Sequence, residues 1–268
     1  MRSMPERVSF PKFWHRKRRS LGVALGSGGA KGLAHLGALQ AMSEEGIEFD
    51  VYAGTSAGSI VGALCACGYT PKDIVELLLR MGYGGAAVSS MLKGSLEPMQ
   101  PVLDDVFGGR EIQDLKKPFC AIATDASDGG EVVLREGNAA RAVLASSSIP
   151  PLFRGIDWEG KRLVDGAFCN AIPGDAARKL GADIVIGIAL SPVQSYRESV
   201  FVTSAGEQKI LEQSGFAACD VLLEPDLSQY GAADIQMSMR MYDIGYACAQ
   251  ESMQKILRAV GRARAQRV

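Results

Sequence analysis

Hydrophobic positions along this chain fall into two patterns. Short apolar runs at Leu21–Leu25, Phe49–Ala53, Phe119–Thr124, Ile184–Leu190 and Val221–Leu223 read as buried strands. Between them, apolar residues recur at helical spacing. One helix follows the glycines at 26–32 and runs to about Met42. A small-residue helix ends at Cys67 before Gly68, and another runs from Pro71 to Met81. Further helices are predicted over 138–147, 173–180, 199–215 and, as one or two pieces, 234–265. Glu131–Arg135 pairs with Phe119–Thr124 as a hairpin across Asp128-Gly129-Gly130. Alternation of strands and helices predicts an α/β fold, a mostly parallel central sheet with helices on both faces. Residues 82–101 break the pattern. Glycines and serines there dilute Met91, Leu92, Leu96 and Met99, which predicts a mobile, partly apolar surface segment. It is read equally as an ordinary surface loop or as a lid whose apolar side chains meet substrate.

Charge divides the chain further. Residues 1–20 carry seven Lys or Arg against Glu6 alone, and residues 255–268 carry five with no acid. The stretch between them holds 17 basic and 29 acidic residues. This predicts a basic tail over 1–20 followed by a single domain over 21–268. An acidic body argues against nucleic acid as a partner. The basic ends are solvated or make transient contact with anionic membrane surfaces. No apolar h-region precedes Arg19, no stretch is long enough for a membrane span, and six cysteines form no CxxC. The expected setting is cytoplasmic and reducing, at most peripheral to a membrane.

The candidate chemistry sits at two strand–helix junctions. Glycines 26, 28, 29 and 32 would point backbone N–H groups into one hollow at a helix start, where they stabilise negative charge. The Walker pattern does not fit. A dinucleotide fingerprint fits partly, with Asp50 as its acid, but Lys31 stands where its third glycine belongs. An oxyanion hollow and a plain tight turn also remain open. The second junction, Gly54-Thr55-Ser56-Ala57-Gly58, is a G-x-S-x-G between a strand and a small-residue helix, the context of a nucleophile elbow. A serine needs a base. Both histidines, His15 and His35, precede Ser56. His15 reads as a tail residue and His35 as a packing or helix-surface residue, so a carboxylate is the alternative base.

The glycine loop, Gly54–Gly58 and Asp165-Gly166-Ala167 occur in the order and with about the separation seen in bacterial patatin-like phospholipases, which this chain resembles from about Leu21 to Leu190, with a looser match at Glu224-Pro225-Asp226. The resemblance implies a patatin-like fold and a serine–aspartate dyad of Ser56 and Asp165. It places Gly28, Gly29 and Ala30 in the oxyanion loop and matches Lys31 to that loop's basic residue. Helix-start geometry adds the N–H of Ala57. The implied activity is hydrolysis of acyl esters of lipids through an acyl-enzyme, without metal or organic cofactor. Met91, Leu92 and Leu96, with Lys31, are the candidate substrate contacts. Two other classes stay open: a catalytically inactive scaffold that kept the fold, and a nucleotide-binding protein.

Overall fold

The computed structural model describes residues 19–81 and 85–265. All but the last two residues of the basic tail, His15, and residues 82–84 of the glycine-diluted segment lie outside the described residues. Chain order is β1 (Leu21–Leu25), α1 (Leu33–Glu44), β2 (Val51–Thr55), α2 (Ala57–Cys67), α3 (Pro71–Met81), α4 (Gly85–Lys93) and α5 (Gln100–Phe107). There follow β3 (Phe119–Asp125), β4 (Glu131–Leu134), α6 (Ala139–Ser147), β5 (Ile156–Trp158), β6 (Lys161–Asp165), α7 (Gly174–Lys179) and β7 (Ile184–Ile188). The chain closes with β8 (Glu198–Val202), β9 (Gln208–Glu212), β10 (Val221–Leu223) and α8 (Ser238–Ala265).

Strands β10, β7, β1, β2 and β3 are hydrogen-bonded neighbours in that order and all parallel, while β4, β5 and β6 pair antiparallel. The parallel strands are apolar throughout because both faces are covered. Their alternate residues sort the two cores. Leu21, Val23, Leu25, Ile184, Ile186 and Ile188 pack with α1, α2 and α8 on one face. Ala24, Val51, Ala53, Ile122 and Val185 pack with α7 on the other. The long C-terminal helix lies directly on α1. A Cβ at Gly37 would meet the Tyr242 carbonyl, and one at Gly245 would meet that of Ala34, so glycine on each helix lets the backbones touch.

β3 has two edges. β4 lines one of them along residues 121–124. On the other, β2 pairs with residues 119–122 and β6 with 123–125. Strands β2 and β6 therefore run toward each other along one edge, and their C-terminal ends meet head on. Thr55 lies opposite Ile122 and Asp165 opposite Ala123, the next residue.

Three local expectations are corrected. Residues 199–215 are not helical. They form the two-stranded β8–β9 hairpin, with Val200 opposite Ile210 and Gly206 at positive φ in the turn. The described part of 82–101 is largely helical rather than irregular: α4, a 3-10 turn at Glu97–Met99, then the start of α5. In the C-terminal stretch, Met241, Met253 and Ile256 are buried as a packing helix requires, but Met237 and Met239 stand exposed. Among the described residues, no helix is long and apolar enough to cross a membrane.

Candidate active site

Ser56 sits in the turn between β2 and α2 with φ 54° and ψ −122°. This is a left-handed conformation that costs a serine roughly 1–3 kcal/mol and persists only where surroundings enforce it. The enforcing contacts are steric and polar. A Cβ at Gly54 would come within 2.3 Å of the Gly58 carbonyl oxygen, and one at Gly58 would collide with the Leu25 carbonyl. The Ser56 N–H donates to Ser146 Oγ at 2.9 Å, and the Ser56 carbonyl accepts from Ser59 Oγ at 2.7 Å. The glycines make the turn possible, and two buried serines hold it.

Asp165 arrives from the opposite direction at the end of β6. Its own N–H donates to the Ser148 carbonyl at 2.9 Å, and its carbonyl accepts from Thr124 Oγ1 at 2.8 Å. Thr55 Oγ1 donates to the Asn170 carbonyl at 2.7 Å, tying the end of β2 to the chain just past Asp165. Because the two strand ends abut, Ser56 Oγ donates to Asp165 Oδ2 at 2.7 Å, and the Ala167 N–H donates to Oδ1 at 2.8 Å. Ser56 is 8% exposed and Asp165 2%. Burial raises the Asp165 pKa from 3.8 to about 6, against the opposing pull of the Ala167 and Ser56 hydrogen bonds. The pair is thus a carboxylate acceptor, tuned toward neutrality, already bonded to a hydroxyl on a strained elbow. That geometry suits proton abstraction from the serine.

The glycine loop leaves β1 and tightens into a 3-10 turn at Gly29–Gly32 before α1. Gly29 has φ +58°, which favours glycine, whereas Ser27 is outside the left-handed region and its side chain is accommodated. The N–H groups of Gly28 and Gly29 donate to no described residue in the loop's hydrogen-bond pattern, and Ala57 opens α2, where an N–H has no intrahelical acceptor. Ala30 differs. Its N–H donates to the Ala232 carbonyl at 2.8 Å, so it is not free for a substrate in this arrangement. The N–H of Lys31 closes the turn on the Gly28 carbonyl at 3.2 Å.

His35 is fully buried on α1, with Nε2 2.8 Å from the Gly26 carbonyl and no partner on Nδ1. Desolvation lowers its pKa to about 4, so it is neutral and packed, the first of its two sequence readings. Met91 and Leu92 are exposed and Leu96 packs partly against the core. Sequence reasoning missed the framework of Ser146, Thr124, Thr55 and Asn170. The run Ser146-Ser147-Ser148 just before Pro150-Pro151 was the available signal, since serines facing a core need partners.

A parallel sheet with a buried serine–carboxylate pair at a strand-to-helix elbow is a lipid-hydrolase type of fold. A family model described as patatin-like phospholipase matches residues 23–178, more than half the chain. The chain belongs to the patatin-like phospholipase family. Patatin-like phospholipase domain-containing protein 7 of Mus musculus is 34% identical over 185 residues, which cover 63% of this chain and 13% of that protein. Lysophospholipase nte1 of Aspergillus fumigatus is 25% identical over 282 residues, covering 89% of this chain and 18% of that protein. The chain thus spans less than a fifth of the length of these curated relatives. They are eukaryotic, so similarity places the chain in the family at large and not specifically in its bacterial branch. The crystal structure of VipD from Legionella pneumophila shares the fold, at TM-score 0.52 and 14% identity over 89% of this chain and 67% of that one.

Proposed function

We propose that this chain is a serine acyl-ester hydrolase that acts on lipids through a Ser56–Asp165 dyad. The observation that carries the reading is the 2.7 Å hydrogen bond from Ser56 Oγ to Asp165 Oδ2 at a strained elbow. In the first half-reaction Asp165 takes the Ser56 proton as Oγ bonds to the ester carbonyl carbon. The carbonyl π electrons move to oxygen, where the N–H groups of Gly28, Gly29 and Ala57 and the α2 N-terminus stabilise the charge. The tetrahedral adduct collapses, the C–O bond to the alcohol breaks, and Asp165 returns its proton to the leaving oxygen. Water then attacks the acyl-Ser56 ester by the same route, with its proton passing through Asp165 to Ser56 Oγ. Neutral, buried His35 has no part in the proton transfers.

A lipid substrate is supported by the surface beside the site. Met91, Leu92, Ile149 and Leu152 are all exposed, Leu92 by 84%. The Arg154 N–H donates to the Gly94 carbonyl at 2.9 Å, which joins the two segments into one apolar ridge. Exposed Lys93 and Arg154 flank it. The ridge connects to the dyad through the Ser148–Asp165 backbone bond. Apolar residues flanked by cations suit transient contact with an anionic lipid surface.

The test is labelling of the full chain with a fluorophosphonate, together with turnover of lysophospholipid and diacyl phospholipid. Label on wild type, absent in Ser56→Ala, with ester turnover lost in both Ser56→Ala and Asp165→Asn, is the expected result. Turnover kcat/KM should fall as pH drops through about 6, because only ionised Asp165 accepts the proton. A folded wild type that neither labels nor turns over any acyl ester would leave the scaffold reading in its place.

A further inference from the structure

We infer that Tyr196, far from the dyad in sequence, is a positioning residue that aims the N–H of Gly28 at the developing oxyanion. The inference rests on the proposed nucleophilic role of Ser56. Its starting point is that all four backbone polar groups of Gly26 and Ser27 are tied down. The Gly26 N–H donates to the Ile188 carbonyl at 3.0 Å, and the Ser27 N–H to the Ala171 carbonyl at 2.9 Å. The Gly26 carbonyl accepts from His35 Nε2 at 2.8 Å. The Ser27 carbonyl accepts from Tyr196 Oη at 3.2 Å.

The last of these bonds has a directional consequence. A trans peptide is planar, and its C=O and N–H point in opposite directions. The Ser27 carbonyl and the Gly28 N–H belong to one peptide unit, so fixing the first fixes the second. Glycine at 28 offers little resistance of its own to rotation of that unit. The other free N–H, that of Gly29, is set differently: its peptide unit contains the Gly28 carbonyl, which the Lys31 N–H holds at 3.2 Å. The two free N–H groups thus have two separate anchors. One is the local turn. The other is a phenol brought in from the 3-10 turn Val193–Tyr196, which follows β7.

Tyr196 is held in place for this task. It is half-buried, packs in the smaller core with Ile172 and Ala189, and its hydroxyl also bonds to Ser191. Burial raises its pKa, so the hydroxyl stays protonated and remains a donor across neutral pH. The Gly28 side of the loop has no slack for compensation by sliding, because a Cβ there would lie 2.7 Å from Leu190 Cδ1. Without the phenol, the Ser27–Gly28 unit turns about its own axis while the loop stays in place.

The experiment is Tyr196→Phe, which removes one oxygen atom, compared with Tyr69→Phe. Tyr69 Oη donates to the Val106 carbonyl at 3.1 Å, a phenol–carbonyl bond between α3's start and α5 that makes no contact with the loop. With a soluble short-chain ester, Tyr196→Phe should lower kcat about tenfold with KM within twofold, a smaller loss than deleting an oxyanion donor outright. The second-order rate of fluorophosphonate labelling at Ser56 should fall in parallel, and the melting temperature should move no more than in Tyr69→Phe, which keeps wild-type kcat. A kcat and labelling rate within twofold of wild type overturn the inference. So does a rise in KM alone, which would mean that the phenol touches substrate, or an activity loss that merely follows a collapse in melting temperature. If wild type itself does not label at Ser56, the nucleophile reading fails, and this inference falls with it.

Discussion

Asp165→Asn should leave the chain inactive and make it more stable. The carboxyl is 2% exposed, and its pKa rises from 3.8 to about 6 because burial penalises the charge. A shift of that size corresponds to about 3 kcal/mol of folding stability forgone once the group is ionised in both states. The sign follows from proton binding. Between about pH 4 and 6 the folded state holds the proton that the unfolded state has released, so wild-type stability declines as pH rises through this window and is flat above it. Asparagine carries no charge at any of these pH values and keeps both hydrogen bonds: Oδ1 accepts from the Ala167 N–H, and Nδ2 donates to Ser56 Oγ. The variant should therefore match wild type near pH 4, gain progressively to pH 6, and stay ahead by up to about 3 kcal/mol at pH 8, or roughly 5–10 °C in melting temperature. Urea unfolding of both proteins at several pH values between 4 and 8 measures this. An asparagine variant less stable than wild type at pH 8, or a difference that does not change with pH, would refute the reasoning.

Two further outcomes follow from the geometry. Gly58→Ala places a methyl group against the Leu25 backbone carbonyl, so it should cost on the order of 3 kcal/mol or more in urea unfolding and abolish Ser56 labelling as the elbow shifts. Leu92→Asp replaces an exposed apolar side chain on the ridge, so sedimentation with anionic vesicles should weaken severalfold while the melting temperature holds; unchanged sedimentation would count against the ridge as the lipid-facing surface.

Much of the architecture was legible because buried parallel strands and glycine-stopped helices have strong local signatures. Leu21–Leu25 and Ile184–Ile188 are apolar on both faces, and Gly68 ends α2 in the left-handed conformation that its position predicts. The 199–215 stretch misled because Ile210 and Leu211 lie side by side, as on a helix. In the hairpin they face opposite ways, Ile210 67% exposed and Leu211 packed on Phe201. The three-residue β5 is too short to carry a periodic signal, and it exists through pairing with β6. At the site, Ser56 announced itself by its glycines. Asp165 did not: as Asp-Gly it looks like any turn, and only the absent downstream histidine and the family resemblance singled it out. The serines and threonines that hold both residues are invisible locally, since each is defined by a partner far along the chain.

The head-on meeting of β2 and β6 makes this site a late product of folding. Its two members are 109 residues apart. Neither the segment ending at Ser56 nor the segment ending at Asp165 can place its reactive atom without β3 as a common rail. Contacts of such long range form after local helices and hairpins, once loop-closure entropy has been overcome. A collapsed intermediate with α2 and the β3–β4 hairpin in place would still hold an unactivated serine. The rate at which Ser56 acquires reactivity during refolding, followed by pulse labelling, is therefore a clock for docking of the last strands and runs behind the recovery of helical signal. By the same logic, a break in the chain anywhere between the two residues silences the chemistry unless the pieces reassociate.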